Sequence, residues 1–399
     1  MNYRFVSLSE AIELVASKIK LPLGIEAVSV FECVGRASAR DYVAPTDIPL
    51  VNASAVDGYA VRSVDTFGAS SSSPVELSLG SECSEGTAVR VLTGDPIPPS
   101  CDAVVRDEDV ELRDGKVLVY RAVPSYHNVR RAGEDLRSGE LIVKKGQVLR
   151  PWHAAALAAC GFHRVEVLEK VRVGIVVVGS EVVEPSEGIE AYRKGLVLNS
   201  TGPLVVSALR ELDPFEPRYL GIVRDDPKEI ARAIEEALAA NHVVVTTGGT
   251  GPSPRDVTTR AIEMVGGEIV VRGIAIRPGR PTSAAIVDGK PVFMLSGFPV
   301  AAFLALKYFA IPSLARALGI ELTVTRCIAK LVSRLPSTSS YTCFSRARVW
   351  IEGNELLAQP LAIKGSGNVS TLIKGNALIV VPEGVEGFEE GDQVLVDLL

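Results

Sequence analysis

Histidine and cysteine, the side chains of most zinc sites and of many nucleophilic centres, are sparse in this sequence. The 399 residues include four histidines, which are dispersed, and six cysteines that form no Cys-x-x-Cys pair. Regularly spaced ligands mark zinc sites and patterned cysteines mark disulfide frameworks, so we expect neither in this chain. Cysteine use of this kind is typical of reducing compartments, which predicts a cytoplasmic protein.

Long apolar runs and a surplus of positive charge are also missing. No uncharged apolar run reaches the roughly 18 residues of a membrane span, and the first residues lack the apolar region of a signal peptide. The net charge of −6 argues against nucleic acid or an anionic membrane as a partner, and we predict neither. With 47% hydrophobic and 23% charged residues, the composition is that of a soluble globular protein of several domains.

The most regular part of the sequence alternates strand-like and helix-like segments. Val171–Val178 consists mostly of β-branched residues, as expected for a parallel strand that is buried on both faces. Similar patterns predict strands at Arg218–Val223, His242–Thr246 and Val292–Leu295, with helices at Leu204–Leu212, Pro227–Ala240, Asp256–Met264 and Ala301–Leu318. This alternation predicts a central doubly wound α/β/α domain over residues 171–318, which binds ligands at the carboxyl ends of its strands.

The flanking regions have different patterns. Residues 1–170 predict a mixed α+β N-terminal part of two subdomains, in which about residues 46–140 are inserted as short strands between turns. Within the insert, Asp114-Gly115 separates two alternating runs and predicts a hairpin turn. Beyond residue 318 the helical patterns stop, and short alternating strands over residues 319–399 predict a C-terminal all-β, barrel-like domain.

A glycine-rich loop follows the predicted strand His242–Thr246 and ends at a helical pattern. Glycines let backbone N–H groups approach a phosphate, and a helix N-terminus adds positive potential. No Gly-Lys-Ser/Thr closes the loop as in a Walker A motif, and its spacing differs from the Rossmann fingerprint. We therefore predict a phosphate-binding loop of another kind, whose contact residues are Gly248, Gly249, Thr250, Gly251 and Ser253.

Carboxylates follow three of the predicted central strands: Glu181, Asp225 and Asp256. Acidic residues in such positions are often helix caps, and Asp256 stands directly before a predicted helix. Because the carboxyl ends of parallel strands meet at one edge of a sheet, these side chains are also candidates for a shared site. Oxygen-rich sites of this kind suit Mg²⁺, which also binds substrate phosphate oxygens.

Three loops of the N-terminal part carry side chains that bind anions or cations. Asp57 precedes Gly58, so the pair is either a hairpin turn or part of a shaped loop in which Asp57 holds a metal or orients a water. Thr93 stands in a proline-fixed loop and offers a hydroxyl to an oxyanion. The run from Arg130 to Asp135 mixes two arginines with two carboxylates, which indicates either solvated surface or a site for phosphate and a divalent ion.

Five motifs occur in order and together resemble one family. They are Ser54-x-Val56-Asp57-Gly58-Tyr59-Ala60, Thr93-Gly94-x-Pro96-x-Pro98, Gly133-Glu134-Asp135-Leu136-Arg137-x-Gly139-Glu140, Gly179-Ser180-Glu181 and Arg277-Pro278-Gly279-Arg280-Pro281. Over essentially its whole length the chain resembles the MoeA-type molybdopterin molybdenumtransferases, which include the E domain of gephyrin. The resemblance implies insertion of molybdate, or tungstate, into adenylylated molybdopterin with release of AMP, in molybdenum cofactor biosynthesis.

The resemblance also implies a Mg²⁺-dependent homodimer of four-subdomain chains, with a site formed between subdomains of both copies. The implied partners are the molybdopterin adenylyltransferase and the acceptor molybdoenzymes. Carried over by motif, the catalytic residues are Asp57, Thr93, Asp135, Glu181, Asp225 and Asp256, of which Asp57, Glu181 and Asp256 bind the metal. The substrate-binding residues are Arg130, Gly248, Gly249, Thr250, Gly251, Ser253, Arg277, Arg280, Pro299, Arg346 and Ser366.

Three features depart from the family pattern. Arg277 and Arg280 stand where the family usually has lysines, and a guanidinium binds phosphate with two parallel hydrogen bonds. Where the family reads Gly-Leu-Pro-Gly-Asn-Pro-Val-Ser, this chain has Gly297, Phe298 and Pro299 followed by Val-Ala-Ala-Phe, so the first proline is kept and the following glycine, asparagine and second proline are not. The glycine-rich loop is more similar to that of the related molybdopterin adenylyltransferases. Two alternatives therefore stay open: adenylyl transfer to molybdopterin, and a non-catalytic molybdopterin-binding or scaffold role.

Overall fold

The computed structural model describes residues 5–250, 256–361 and 365–399 of the chain. A central α/β domain is joined to a mixed N-terminal part and to a β-barrel near the C-terminus. The predicted fold class is therefore confirmed. The division of the chain at residues 170 and 318, and the insertion of about residues 46–140, stay predictions.

The central sheet has six strands whose side chains alternate between two apolar layers. The strand order is Phe215–Val223, Val171–Val178, Val243–Thr247, Lys290–Leu295, Ser283–Val287 and Glu268–Arg272. The first four strands are parallel, and the fifth is antiparallel to both of its neighbours. Val173 and Ile175 belong to one layer, Val176 and Val178 to the other, because successive side chains of a strand point to opposite faces.

Helices cover both faces of this sheet. One layer includes Leu8–Lys18, Thr201–Arg210 and the run Pro299–Leu318, and the other includes Pro227–Ala240 and Val257–Met264. By length and composition, Pro299–Leu318 is the one described helix that is apolar enough to span a membrane, and 72% of its most apolar window is buried inside the protein. It is therefore a core helix of this domain, interrupted by one π-helical turn at Leu306–Ala310.

A second six-stranded sheet lies in the N-terminal part. Its strand order is Ala103–Arg106, Gly58–Val61, Thr87–Val91, Val75–Gly80, Lys116–Val119 and Val110–Arg113. The last two strands pair antiparallel across Asp114 and Gly115, whose φ angles of 49° and 78° are typical of a tight hairpin turn, so this prediction is confirmed. A separate apolar cluster surrounds Tyr42 and Leu157, and it is built from the helix Pro151–Ala159 and the strand pairs Ile25–Ser29 with Arg164–Leu168 and Tyr42–Val43 with Leu141–Val143.

Cys83 and Cys101 form a disulfide bond, with their Cα atoms 5.7 Å apart. The expectation concerned a disulfide framework, and this single bond was not predicted, because folding brings together two positions that are 18 residues apart in the sequence. Both side chains pack in the apolar layer that contains Ala60 and Val104. The bond does not decide the compartment, since intracellular proteins of hyperthermophiles also contain disulfides.

The C-terminal strands close into a barrel. Going round it, the strands are Thr342–Glu352, Glu355–Pro360, Arg326–Leu331, Gln393–Leu398 and Ala377–Val381, and the last pairs with the first. A sixth, two-residue strand, Ile276–Arg277, comes from the central domain and pairs with Thr342–Cys343. The short helix Ser370–Lys374 shows that the prediction of no helix beyond residue 318 is wrong.

The barrel packs on the core helix through a polar contact inside an apolar interface. Tyr308, in the π-helical turn, stacks on Phe344 with ring centroids 4.0 Å apart. The Tyr308 hydroxyl donates to Asp397 Oδ2 at 2.7 Å, and Arg326 Nε donates to Asp397 Oδ1 at 2.9 Å. Because Asp397 is fully buried, this pairing satisfies a carboxylate that would otherwise be costly to bury.

Candidate functional site

The three N-terminal loops predicted to carry site residues converge in the structure. Ser54 N donates to Asp95 O at 2.9 Å, and Gly94 N donates to Ser54 O at 2.8 Å. Ala132 N donates to Asn52 Oδ1 at 2.9 Å, and the strand Ala53–Ser54 pairs with Val129–Arg130. We call these loops, residues 52–57, 93–96 and 130–135, the N-terminal cluster. Predicted residues Asp57, Thr93, Arg130 and Asp135 all lie in this cluster.

Asp57 is held by Thr93 at the surface of this cluster. The backbone N–H and the hydroxyl of Thr93 both donate to Asp57 Oδ1, at 2.7 and 2.8 Å. These bonds hold the pKa of Asp57 below its ordinary value, the backbone N–H having the larger effect. The hairpin-turn interpretation of Asp57-Gly58 is wrong, because Ala53–Ser54 and Gly58–Val61 pair with different strands.

The arginines and carboxylates of the third loop form a local ion pair. Arg130 Nε lies 3.2 Å from Glu134 Oε1, and both side chains are about half exposed. The N–H of Arg131 donates to Glu134 and, with Arg130, holds the pKa of that carboxyl below its ordinary value. Exposed pairs stabilise folds little, so this arrangement leaves Arg130 available to an incoming anion. Asp135 is exposed, and its N–H donates to Ile48 O at 3.1 Å.

At the carboxyl edge of the central sheet, two predicted loops are hydrogen-bonded to each other. Ser180 N donates to Asp225 Oδ2 at 2.7 Å, and Asp225 N donates to Ser180 Oγ at 3.0 Å. This exchange places Asp225 beside exposed Glu181, the next residue after Ser180. The helix cap is the neighbouring residue Asp226, which accepts from the N–H groups of Lys228 and Glu229. Asp225 and Glu181 thus share one end of the sheet.

Asp256 is the cap of the helix Val257–Met264, as one of its two interpretations predicted. Its carboxylate accepts from Thr259 N at 3.0 Å and from Thr259 Oγ1 at 2.6 Å. Oδ2 also lies 3.5 Å from a guanidinium nitrogen of Arg272. The Asp256 side chain is buried, and both of its carboxylate oxygens are bound to these neighbours.

The three predicted metal ligands do not form a metal site within one chain. Among residues 5–250, 256–361 and 365–399, no group of three or more His, Cys, Asp or Glu side chains could hold a metal ion. Asp57 bonds to Thr93 in the N-terminal cluster, whereas Asp256 bonds to Thr259 and faces Arg272. The described residues therefore do not fit a Mg²⁺ site on their own, and we assign no catalytic step to that ion.

The glycine-rich loop lies between the end of one strand and the start of a helix. Gly248 and Gly249 have φ angles of 91° and 64°, which favour glycine. A Cβ atom on Gly248 would lie 2.2 Å from the carbonyl oxygen of Val178, and one on Gly249 would lie 2.4 Å from Thr258 Oγ1. Only glycine fits at either position, and Gly248 is buried and its N–H donates to Leu295 O at 3.0 Å, so that N–H is not open to a phosphate. Thr250 follows and is half-buried, while predicted contacts Gly251 and Ser253 lie outside the described residues.

A cavity of about 870 Å³ lies between the central domain and the barrel. Four arginines line it, and we call it the arginine cavity: Arg277, Arg280, Arg334 and Arg346. Several hydroxyl side chains also line it: Ser296, Ser333, Ser337, Thr338, Ser345 and Ser366. The cavity thus brings together four predicted residues that are far apart in the sequence: Arg277, Arg280, Arg346 and Ser366. Pro299 begins the adjacent helix, whose first N–H groups, those of Val300 and Ala301, donate to Ser366 O at 3.0 and 3.3 Å.

Arg346 is the most constrained of these arginines. It is buried, and its guanidinium donates to Thr371 Oγ1 at 3.1 Å, to Gly365 O at 3.3 Å and to Phe344 O at 3.4 Å. Burial lowers the pKa of the guanidinium from its ordinary value, yet an arginine stays protonated in proteins. Its positive charge is therefore fixed in position within the cavity wall.

Some cavity residues were not predicted from the sequence. Arg334, Ser337 and Thr338 belong to one hydroxyl-rich run after a barrel strand, and that run was the available signal. Arg334 also pairs with Glu389 at 3.0 Å. Nothing in the periodicity of the sequence shows that this run faces Arg277, because the two segments meet only when the barrel packs on the central domain.

Known proteins share this architecture over nearly the whole chain. The family models of the MoeA N-terminal region (domain I and II), a "probable molybdopterin binding domain" and the MoeA C-terminal region (domain IV) match residues 6–161, 174–316 and 329–399. A protein of Methanocaldococcus jannaschii named for molybdopterin biosynthesis is 36% identical over 94% of this chain and 92% of its own length. A molybdopterin molybdenumtransferase of Staphylococcus aureus is 30% identical over 92% of this chain and 89% of its own length. The crystal structure of a molybdopterin biosynthesis moeA protein from Pyrococcus horikoshii matches with a TM-score of 0.84 and 32% identity, covering 99% of this chain and 100% of that chain.

Proposed function

The chain belongs to the MoeA family, and on this premise we propose that it is a molybdopterin molybdenumtransferase acting in the cytoplasm. It would insert molybdate or tungstate into adenylylated molybdopterin and release AMP. The molybdopterin adenylyltransferase would supply its substrate, and molybdoenzymes would accept its product. Relatives of this name and the shared three-part architecture support the proposal.

The arginine cavity is the observation that carries this function. The chain has a net charge of −6, yet four arginines line one cavity together with several hydroxyls, and one of the four, Arg334, is also paired with Glu389. Fixed positive charge and hydroxyl donors are the groups that bind a tetrahedral dianion, and their attraction is strengthened where water is partly excluded. We assign this cavity to the oxyanion.

The glycine-rich loop lies next to the cavity and suits the phosphate end of the substrate. A Cβ atom on Gly297 would lie 3.4 Å from Gly248 Cα, so the loop touches the segment that leads into the cavity. Phosphate at the loop and oxyanion in the cavity would place the reacting sulfurs of molybdopterin between them. Catalysis would then rest largely on holding the two reactants together.

A second copy of the chain would complete the site. Asp57, Thr93, Arg130 and Asp135 lie in the N-terminal cluster and form no metal group with Glu181 or Asp256 in one chain. Three exposed apolar side chains, Leu50, Val51 and Leu92, flank that cluster, as expected for a surface that a partner covers. We therefore include a homodimer in the proposal, with Mg²⁺ bound only in the assembled, substrate-loaded site.

The test is AMP release from adenylylated molybdopterin with Mg²⁺, with molybdate, tungstate or neither added. We expect release that depends on the oxyanion and on Mg²⁺, from a protein that is dimeric by light scattering. Consumption of ATP with release of pyrophosphate would instead indicate adenylyl transfer. Tight binding of the substrate without turnover would indicate a scaffold.

A matched pair of variants tests the assignment of the cavity. Arg346→Lys cannot reproduce the three hydrogen bonds of the guanidinium, so we expect oxyanion affinity to fall by about tenfold or more. Arg277→Lys keeps the charge at an exposed position where the family has lysine and loses only the two parallel hydrogen bonds of a guanidinium, so affinity should fall clearly less than in Arg346→Lys. Equal, small effects of both variants on molybdate binding, measured by calorimetry, would place the oxyanion elsewhere.

A further inference from the structure

Phe298 lines the arginine cavity and is 58% exposed, and the preceding residue Gly297 is exposed too. Ser296, two residues before it, is buried, and Pro299 and Val300, the residues after it, are buried as well. Other aromatic side chains of this chain are also exposed, such as Phe31 and Phe67, so the exposure of Phe298 matters because of its place in the lining of the cavity. The local packing of the segment does not explain this ring.

The backbone beneath the ring is fixed. Phe298 N donates to Ser296 Oγ at 3.2 Å, and its carbonyl accepts from Ala302 N at 2.9 Å at the start of the helix Pro299–Ala305. A Cβ atom on Gly367 would lie 3.2 Å from Phe298 Cδ1, so the ring rests against a residue without a side chain. The ring is thus supported from the barrel side in a defined place, while much of the residue stays exposed.

Its location is between the two ends of the proposed substrate site. Gly297, the preceding residue, contacts the glycine-rich loop at Gly248, and Phe298 itself lines the cavity together with Arg277 and Arg346. A ligand that reaches from that loop into the cavity along Gly297 therefore comes close to Phe298. In molybdopterin, a pterin whose pyrimidine ring is planar is joined to the part that carries the phosphate and the dithiolene sulfurs.

We propose that Phe298 is the aromatic platform on which the pterin ring of the substrate stacks, and that it sets the position of the dithiolene relative to the arginine cavity. This inference rests on the proposed function and names one of its specificity residues. Planar heterocycles stack favourably on aromatic faces, and a single contact of this kind changes affinity by about tenfold or more. The leucine that the family pattern has at this position offers apolar contact but no aromatic face.

The experiment compares Phe298→Leu, which removes the aromatic face, with Phe298→Tyr, which keeps it. The probes are 6-hydroxymethylpterin, followed by the anisotropy of its own fluorescence, and molybdate, followed by calorimetry. We expect Phe298→Leu to weaken pterin binding by about tenfold and Phe298→Tyr to stay within about threefold of the parent protein. Molybdate affinity should be unchanged in both variants, which also shows that the cavity is intact.

The outcomes separate this inference from the proposed function. If Phe298→Leu binds the pterin as tightly as the parent, or if the parent binds molybdate but no pterin, the platform is disproved and the oxyanion site stands. If the parent protein binds neither probe, the proposed function itself fails. A general loss of molybdate binding in both variants would mean that Phe298 only packs the barrel against the central domain.

Discussion

At the level of single residues, one contact determines the state of Asp57. The N–H and the hydroxyl of Thr93 converge on one carboxylate oxygen, so the ionised form is favoured and the pKa is lowered. A carboxylate of this kind stays negative under mildly acidic conditions and can face a cation or a developing positive charge. Thr93 was predicted to bind an oxyanion, whereas in the single chain its hydroxyl donates a hydrogen bond to Asp57.

Thr93→Val should raise the pKa of Asp57 part of the way toward its ordinary value of 3.8, because the hydroxyl is lost and the backbone N–H remains. The lowered pKa means that these contacts stabilise the folded state above the ordinary pKa, and this stability is lost as pH falls through the folded value. The measurement is a pH titration of the Asp57 carboxyl carbon by NMR. Thr93→Ser keeps the hydroxyl and is the control, and equal pKa values in both variants would contradict the prediction.

The sequence showed that residues 57, 93 and 130 are chemically suitable, but not that they meet. Asp57 and Thr93 are separated by 36 residues and are brought together by the pairing of Gly58 with Val91. Arg130 joins them through the pairing of Ala53–Ser54 with Val129–Arg130. Two-residue strands have no readable periodicity, so no pattern in the sequence announces this pairing. The resemblance to the family indicated which residues belong to the site, whereas only the folded structure shows which of them are in contact.

At the level of elements, two adjacent aspartates after the strand Phe215–Val223 have different roles, one in a helix cap and one in a loop contact. Asp226 caps the helix Pro227–Ala240 through two N–H groups, and Asp225 joins the loop that carries Ser180. The helix-cap interpretation of Asp225 is therefore wrong, because its neighbour Asp226 is the cap. Asp225 is left facing the carboxyl edge of the sheet, where ligands of doubly wound domains bind.

Substitution of the two aspartates should separate stability from activity. We expect Asp226→Ala to lower the free energy of unfolding by about 1 kcal/mol, the usual value for loss of an N-cap, with AMP release nearly unchanged. Asp225→Ala should cost less stability and reduce AMP release at least about tenfold if it acts in the site. Urea unfolding and the AMP assay on the same preparations provide the comparison, and equal losses of activity would contradict this division.

Long elements of the central domain were predicted well because packing and local pattern agree there. The bounds of Val171–Val178 and Pro227–Ala240 match the prediction residue for residue. The helix Ser370–Lys374 was missed because five residues show no helical period, and the strand Ile276–Arg277 was missed because only its partner in the barrel defines it.

At the level of the whole molecule, the barrel is anchored to the core helix by a buried carboxylate. Asp397 is fully buried and accepts from Tyr308 and from Arg326, whose own side chain is half exposed. Burial and this carboxylate together raise the pKa of Tyr308, which keeps its hydroxyl protonated as a donor. The stacking of Tyr308 on Phe344 connects this contact to a residue that lines the arginine cavity.

Arg326→Ala should therefore cost more than its exposed position suggests, about 3 kcal/mol of unfolding free energy, because a buried carboxylate loses its cation. Adding Asp397→Asn in the same chain removes the buried charge and should recover part of this loss. Urea unfolding of the single and double variants gives both values. A loss below about 1 kcal/mol for Arg326→Ala, typical of a surface pair, would contradict the prediction.

The three-part architecture followed from the sequence, but the arginine cavity did not. Arg277 and Arg346 belong to different domains, and each is locally an ordinary strand residue. Both line one cavity only because the barrel packs on the core helix. Packing between two domains produces no hydrophobic periodicity in either segment, so the sequence does not show it. The same holds for the hydroxyl-rich run after Leu331.

The strand Ile276–Arg277 has a consequence for how such proteins can be recombined. It lies inside the central domain in sequence, yet its backbone hydrogen bonds belong to the barrel sheet. A chimera joined at the linker before the barrel would pair one parent's barrel with the other parent's strand, and the arginine carried by that strand would be mispositioned. Exchange of the barrel between relatives therefore has to include the segment around Arg277, so the two regions are expected to be inherited as one unit.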